Sequence, residues 1–148
     1  MNKIAVIGVG SAGILSLCHY LSGLDETWTV TSIHDPNKPI ISIGESTNPS
    51  FIDILEKGTD FTLYGDPMSE LNATHKFCTY YSNWREKNFG NPLLRGTSAI
   101  HMDSSKLSQF AIPRLHKKWG SKFQEIQGKV TQVSQQMNKV YVEIEGDT

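Results

Sequence analysis

The chain has 148 residues, 38% of them hydrophobic, and 14 Lys+Arg against 15 Asp+Glu give a net charge of -1. That length supports one domain with a real core, and the balanced charge supplies no global field for nucleic acid or an anionic membrane. No apolar run approaches the ~20 residues that span a bilayer, and the N-terminal apolar segment is too short and glycine-interrupted for a secretory leader, so a cytoplasmic protein without membrane or nucleic-acid partners is expected.

The opening residues carry the strongest signal. An apolar run, Ile4 to Ile7, meets Gly8-Val-Gly10-Ser-Ala-Gly13 and continues into Ile14-Leu-Ser-Leu-Cys18. This is the strand, turn and helix that open a dinucleotide-binding fold. Gly8 permits the tight turn, Gly10 lets a pyrophosphate approach the backbone, and Gly13 lets the helix pack close to the strand. Ser11 and Ala12 begin the helix, whose free N–H groups and positive dipole end suit phosphate. The spacing predicts a central parallel strand over Lys3–Ile7. A helix is predicted over Ser11–Ser22, with Ala12, Leu15, Cys18 and Leu21 toward the sheet and Gly23 just past its end.

Trp28 to His34 is rich in β-branched residues and reads as the second strand. Asp35 follows it, 22 residues past Gly13. It is either the acidic ligand of a ribose hydroxyl or a turn residue ahead of Pro36. Lys38 to Ser46 reads as a loop. Asn48 caps a short helix with Pro49 at its first position and Gly58 at its end. Phe61 to Leu71 reads as irregular. His75 to Trp84 reads as one aromatic strand with Lys76, Cys78, Tyr80, Ser82 and Trp84 on one face. A polar loop is expected over Arg85–Ser98.

Asp103 caps a helix bearing Leu107, Phe110, Ala111, Leu115 and Trp119, which Pro113 should kink or restart. Arg114, Lys117, Lys118 and Lys122 read as a solvated helix face. The end of the chain alternates as a hairpin, Val130 to Ile144, turning at Met137-Asn138-Lys139. Cys18 and Cys78 fall in apolar patterns and are expected as reduced core thiols. With no histidine at ligand spacing they give no metal signature.

Together these segments resemble the flavin-dependent tryptophan halogenases. Gly8-Val-Gly-Ser-Ala-Gly13 is similar to that family's G-G-G-T-A-G opening, and Pro39-Ile-Ile-Ser-Ile-Gly-Glu-Ser46 to its P-R-I-G-V-G-E-A loop. His75-Lys76 with Asn83-Trp84 resembles the family's F-K…N-W strand, and His101-Met-Asp103 its H-F-D segment. The resemblance implies a Rossmann-like, three-layer α/β FAD-binding fold of the glutathione-reductase and aromatic-hydroxylase type. It implies reduced FAD supplied by a separate flavin reductase, and a small aromatic or indole substrate halogenated electrophilically with oxygen and halide. By residue match, Gly8, Gly10, Ser11, Ala12, Gly13, His34, Asp35, Ile43, Gly44 and Glu45 would bind the cofactor. Lys76 would hold the hypohalous acid beside the substrate. From the residues alone, a lysine on an aromatic strand face is desolvated and suited to that role, or it snorkels to solvent from a strand end.

The chain departs from the family at several points. The acid ending the second strand falls on His34, with Asp35 one place later, so ribose recognition is shifted. Ser42 replaces the first glycine of the loop, and only 16 residues, Arg85 to Ile100, stand where the family has a long insertion. The chain stops at Gly146-Asp147-Thr148, so an incomplete cofactor domain, inactive in halogenation by itself, is expected. The alternatives are a nucleotide-binding remnant without catalysis, or part of another FAD-dependent aromatic monooxygenase.

Overall fold

A computed structural model describes residues 2–41, 44–84, 87–93 and 97–145. In chain order the elements are β1 (Asn2–Ile7), α1 (Ser11–Gly23), β2 (Trp28–His34), β3 (Gly44–Ser46), α2 (Pro49–Thr59), α3 (Asp66–Glu70), β4 (Thr74–Lys76), β5 (Cys78–Tyr81), β6 (Phe89–Pro92), β7 (Ala99–Asp103), α4 (Leu107–Trp119), β8 (Phe123–Gln127), β9 (Val130–Gln136) and β10 (Lys139–Ile144).

The expected Rossmann-like α/β frame is present, with one change of order. β1 runs parallel to β2, from Asn2 opposite Trp28 to Ile7 opposite Ile33. β8 adds on the far side of β2, also parallel, from Phe123 opposite Val30. The described sheet is therefore β1-β2-β8, and β2, not β1, is central. β2 accordingly buries Thr29, Val30, Ser32 and Ile33, whereas Ile7 on β1 is half-exposed. Phe-Gln-Glu-Ile-Gln at β8 is short and polar, so no run of apolar residues announced it.

Helix α1 covers the predicted span and buries Cys18 and Leu21 as expected, but the rest of its face differs. Ile14, Leu17, Cys18 and Leu21 are fully buried, while Ala12 is exposed and Leu15 half-buried. The stripe is rotated because α1 packs against α2 and α4 as well as the sheet. Gly23 is the last helical residue, and Leu24 leaves in an extended conformation. α2 begins as its cap dictates: Asn48 is extended and its side chain accepts from Phe51 N at 3.0 Å, with Pro49 next. Gly58 does not end α2. It is buried inside the last turn, where an added Cβ would lie 2.4 Å from both Cβ and Sγ of Cys18. The α1–α2 contact therefore requires glycine there.

One core joins these helices: Ile14, Leu17, Leu21, Leu55, Leu107 and Leu115 are fully buried beside Phe61, Phe110 and Phe123. Burial of each such side chain contributes roughly 1.5–3 kcal/mol. α4 carries the predicted face and runs unbroken through Pro113, which faces solvent. There water can satisfy the carbonyl that loses its donor. The expected solvated basic face is only partly so. Arg114 lies over the Phe110 ring at 3.9 Å and pairs with Glu70 at 2.7 Å. Lys122 is buried and donates to Leu24 O at 2.6 Å.

The long aromatic strand expected over His75–Trp84 is two strands in two sheets. β4 pairs with β7, and β7 pairs on its other edge with β3, giving β3-β7-β4. β5 pairs instead with β6, which lies inside the expected polar loop. Cys78, Tyr80, Ser82 and Trp84 are exposed, so Cys78 is not a core thiol. Within Phe61–Leu71, α3 is a short helix where irregular chain was expected. β9 and β10 form the predicted antiparallel hairpin as a separate two-stranded sheet, with Met137 at positive φ in its turn.

Candidate functional site

The glycine turn forms one wall of a cavity of about 590 Å³. Gly8 adopts φ +96°, a conformation that favours glycine. A Cβ at Gly13 would sit 2.1 Å from Gly8 O, so glycine there allows α1 to start against the end of β1. Gly10 lines the cavity, and a Cβ on it would meet nothing within 4 Å. It is also the N-cap of α1 and has no side-chain cap hydrogen bond, which leaves first-turn N–H groups without that partner. Open backbone at Gly10 beside a helix N-terminus fits the pyrophosphate of a dinucleotide.

Gly8, Gly10, Ser11, His34, Asp35, Gly44 and Glu45 all line this cavity. Ala12 and Gly13 belong to the same turn but are not part of the wall. Ile43 lies outside the described residues. His34, at the end of β2, has Nε2 3.6 Å from Glu125 Oε1, and its Nδ1 is buried without a hydrogen-bond partner. Glu125 on β8 also meets His116 Nε2 at 3.0 Å. Burial opposes ionisation of Glu125, but hydrogen bonds from His116 and Gln127 and the nearby histidines outweigh it and hold its carboxyl below the usual range. Asp35 Oδ1 accepts from Asn37 N at 2.9 Å, so this side chain shapes the turn and lines the cavity at once.

Val9, Lys38, Pro39, Ile40, Ile41 and Ser104 complete the wall and were not among the expected cofactor-binding residues. Ser104 follows β7 and is some 90 residues from the glycines; only the fold brings it there. Asp103 caps the turn that carries it, accepting from Ser105 N at 3.0 Å.

Lys76 is not in this cavity. It lines a second one, of about 520 Å³, with Leu15, Glu45, Thr47, Asn48, Phe51 and Ile54 among its neighbours. Its environment is therefore the β3–α2 connection and α1, not the aromatic face once expected. Nζ donates to Thr47 O at 3.1 Å, and Thr47 is itself tied to β7 through Ile100. Glu45 belongs to both cavities, and its carboxylate accepts a hydrogen bond from Ser11 Oγ. Cys18 is buried against Gly58 of α2, and burial pushes its thiol up to about 12, which makes it unreactive. Among the described residues no group of three His, Cys, Asp or Glu side chains is placed to hold a metal ion. None of the described helices is long and apolar enough to cross a membrane.

The sequence model of the family described as Tryptophan halogenase matches residues 3–143. The chain belongs to the tryptophan halogenase family. Among the family's curated members, the tryptophan 7-halogenase RebH of Lentzea aerocolonigenes is 30% identical over 89 residues, 57% of this chain and 16% of that protein. The tryptophan 7-halogenase KtzQ of a Kutzneria species is 33% identical over a stretch of the same length. The fold is shared with Xcc4156, a flavin-dependent halogenase from Xanthomonas campestris, at a TM-score of 0.75 and 15% identity. That superposition covers 99% of this chain and 40% of the other. The chain thus spans well under half the length of the family members it matches.

Proposed function

We propose that this chain is the cofactor-binding part of a flavin-dependent halogenase that acts on a small aromatic, indole-like substrate. FAD is the proposed cofactor, and a separate reductase in a reducing, cytoplasmic setting is its proposed source of electrons. The reading rests on one juxtaposition: the glycine-turn cavity and the Lys76 cavity lie side by side and share Glu45. Gly10, Ser11 and the first turn of α1 would hold the pyrophosphate. His34 and Asp35 would take the ribose, and Gly44-Glu45, with Ile43, would lie along the flavin. Bound in reduced form, the cofactor would supply hypohalous oxidant from oxygen and halide. Lys76 would then retain that oxidant by hydrogen bond and present it to the aromatic ring. Its hydrogen bond to Thr47 O fixes where the ammonium sits, which suits a group that must position a small reactive molecule.

Titration of the purified protein with FAD and with NAD tests the cofactor. FAD is expected to bind more tightly, with a change in flavin fluorescence, and tighter NAD binding without that change would overturn the assignment. In the halogenating protein supplied with reduced FAD, oxygen, bromide and indoles, Lys76→Ala is expected to abolish product. Product that survives the substitution would remove Lys76 from the chemistry.

A further inference from the structure

In dinucleotide-binding folds an acidic side chain near the end of the second strand accepts a hydrogen bond from the adenosine ribose 2′-hydroxyl. Here His34 ends β2 and lines the glycine-turn cavity. Asp35 follows, but its Oδ1 is committed to Asn37 N at 2.9 Å in the turn. Another acid reaches His34 from β8: Glu125 Oε1 lies 3.6 Å from His34 Nε2, and Glu125 Oε2 lies 3.0 Å from His116 Nε2 on α4. The Glu125 carboxyl is held below its usual range, so it is ionised near neutrality. A carboxylate has no proton to give, so it favours the single proton of a neutral His34 ring on Nε2. The lone pair then falls on Nδ1, which is buried and has no hydrogen-bond partner among the described residues. An unfilled buried acceptor is costly. His34 belongs to the cavity wall, so a hydroxyl arriving through that cavity is the group that fills it.

We propose that His34, with its proton kept on Nε2 by Glu125, takes the place of that acid and accepts a hydrogen bond from the ribose 2′-hydroxyl at Nδ1. Glu125 is a positioning residue: it acts on the cofactor only through the ring. A second proton on His34 removes the lone pair and turns Nδ1 into a donor, so this contact is lost in acid, where a carboxylate would keep it. The charged and titratable groups around the ring are Glu125 from β8, His116 of α4 beyond it, and Asp35, Lys38 and Glu45 on the cavity wall. The positive charge gained on protonation faces Glu125, which offsets its pull on the cofactor phosphates. The inference rests on the FAD reading above. It gives the ribose end an acceptor atom, a pH dependence and a supporting residue that the reading does not require.

The test uses the full chain as wild type, His34→Asn, His34→Ala and Glu125→Ala. The histidine ring nitrogens are followed by NMR, and FAD and its 2′-deoxyadenosine analogue are titrated by flavin fluorescence between about pH 8 and pH 5, the range in which imidazoles change charge. The wild-type His34 ring should carry its proton on Nε2 at the upper pH, and Glu125→Ala should raise the share on Nδ1. FAD should bind the wild type about fivefold more tightly than the deoxy analogue at the upper pH, the worth of one hydrogen bond, and the preference should fade in acid. His34→Asn, whose amide oxygen accepts at any pH, should keep the preference throughout, and His34→Ala should lose it throughout. Failure of FAD to bind the wild type would overturn the cofactor reading and this inference with it. FAD binding with no preference over the deoxy analogue, or with a preference that survives His34→Ala, would overturn the ribose contact alone. A wild-type ring protonated on Nδ1 would overturn the role of Glu125, and a wild-type preference that persists in acid would overturn the lone pair as the acceptor.

Discussion

The β1–α1–β2 unit and the segment around Lys76 obey different rules. In the first, each requirement is local: Gly8 turns at positive φ, Gly13 clears Gly8 O, and β2 follows one short connection later. In the second, Lys76 is set by partners far off in the chain, Ala99 across the β4–β7 ladder and Thr47 O at its ammonium. β5 and β6 beyond it are held mainly to each other, with Tyr81 stacked on Phe89 at 4.9 Å. A glycine turn can be specified by a dozen consecutive residues. A side chain placed by partners this far away in the sequence needs the whole fold to position it.

That contrast is sharpest at Gly13. Gly13→Val puts a side chain into Gly8 O, and the stability loss should be about 3 kcal/mol or more, with FAD binding lost as well. Urea denaturation reads the first effect and flavin fluorescence the second. A stable variant that still binds FAD would break the claim that the turn is locally determined. Gly58→Ala tests a core contact that no motif announces. Its Cβ meets Cys18 at 2.4 Å, so a loss of about 2 kcal/mol is expected in denaturant midpoint, with little change in FAD affinity.

Tyr81→Ala should cost about 1 kcal/mol or less and act locally, because the β5–β6 pair is solvent-facing on one side. Hydrogen exchange should speed up in β5 and β6 while α1 and β2 keep their protection. Loss of protection in β2 would show that the two regions unfold together. The smallest effect concerns Glu125. Its carboxyl is held below the ordinary 4.5, so the ionised form stabilises the fold above that pH, and the contribution fades as pH falls through the lower folded value. The difference in Tm between wild type and Glu125→Gln should therefore be largest near neutrality and shrink in acid. A difference that grows on acidification would refute the assigned sign.

Much of the frame was legible in the residues. The glycine spacing, the β-branched run Trp28–His34, the Asn48-Pro49 cap and the terminal alternation all describe interactions within a few positions, and the observed elements follow them closely. β8 was missed because Phe-Gln-Glu-Ile-Gln owes its strand conformation to the free edge of β2, not to its own pattern. The apolar stripe of α1 keeps Cys18 and Leu21 but takes Ile14 and Leu17 in place of Ala12 and Leu15, because α2 and α4 compete with the sheet for it. The supposed single strand through Lys76 divides at Phe77 because β7 takes one half and β6 the other.

The sequence by itself determined the glycine turn, its helix and the family, because backbone sterics and capping act over short spans. Tertiary structure decided which strand is central, what surrounds Lys76, and that Glu45 on β3 meets Ser11 between two cavities. Those depend on packing and strand pairing between residues tens of positions apart, and no local pattern encodes the choice of partner.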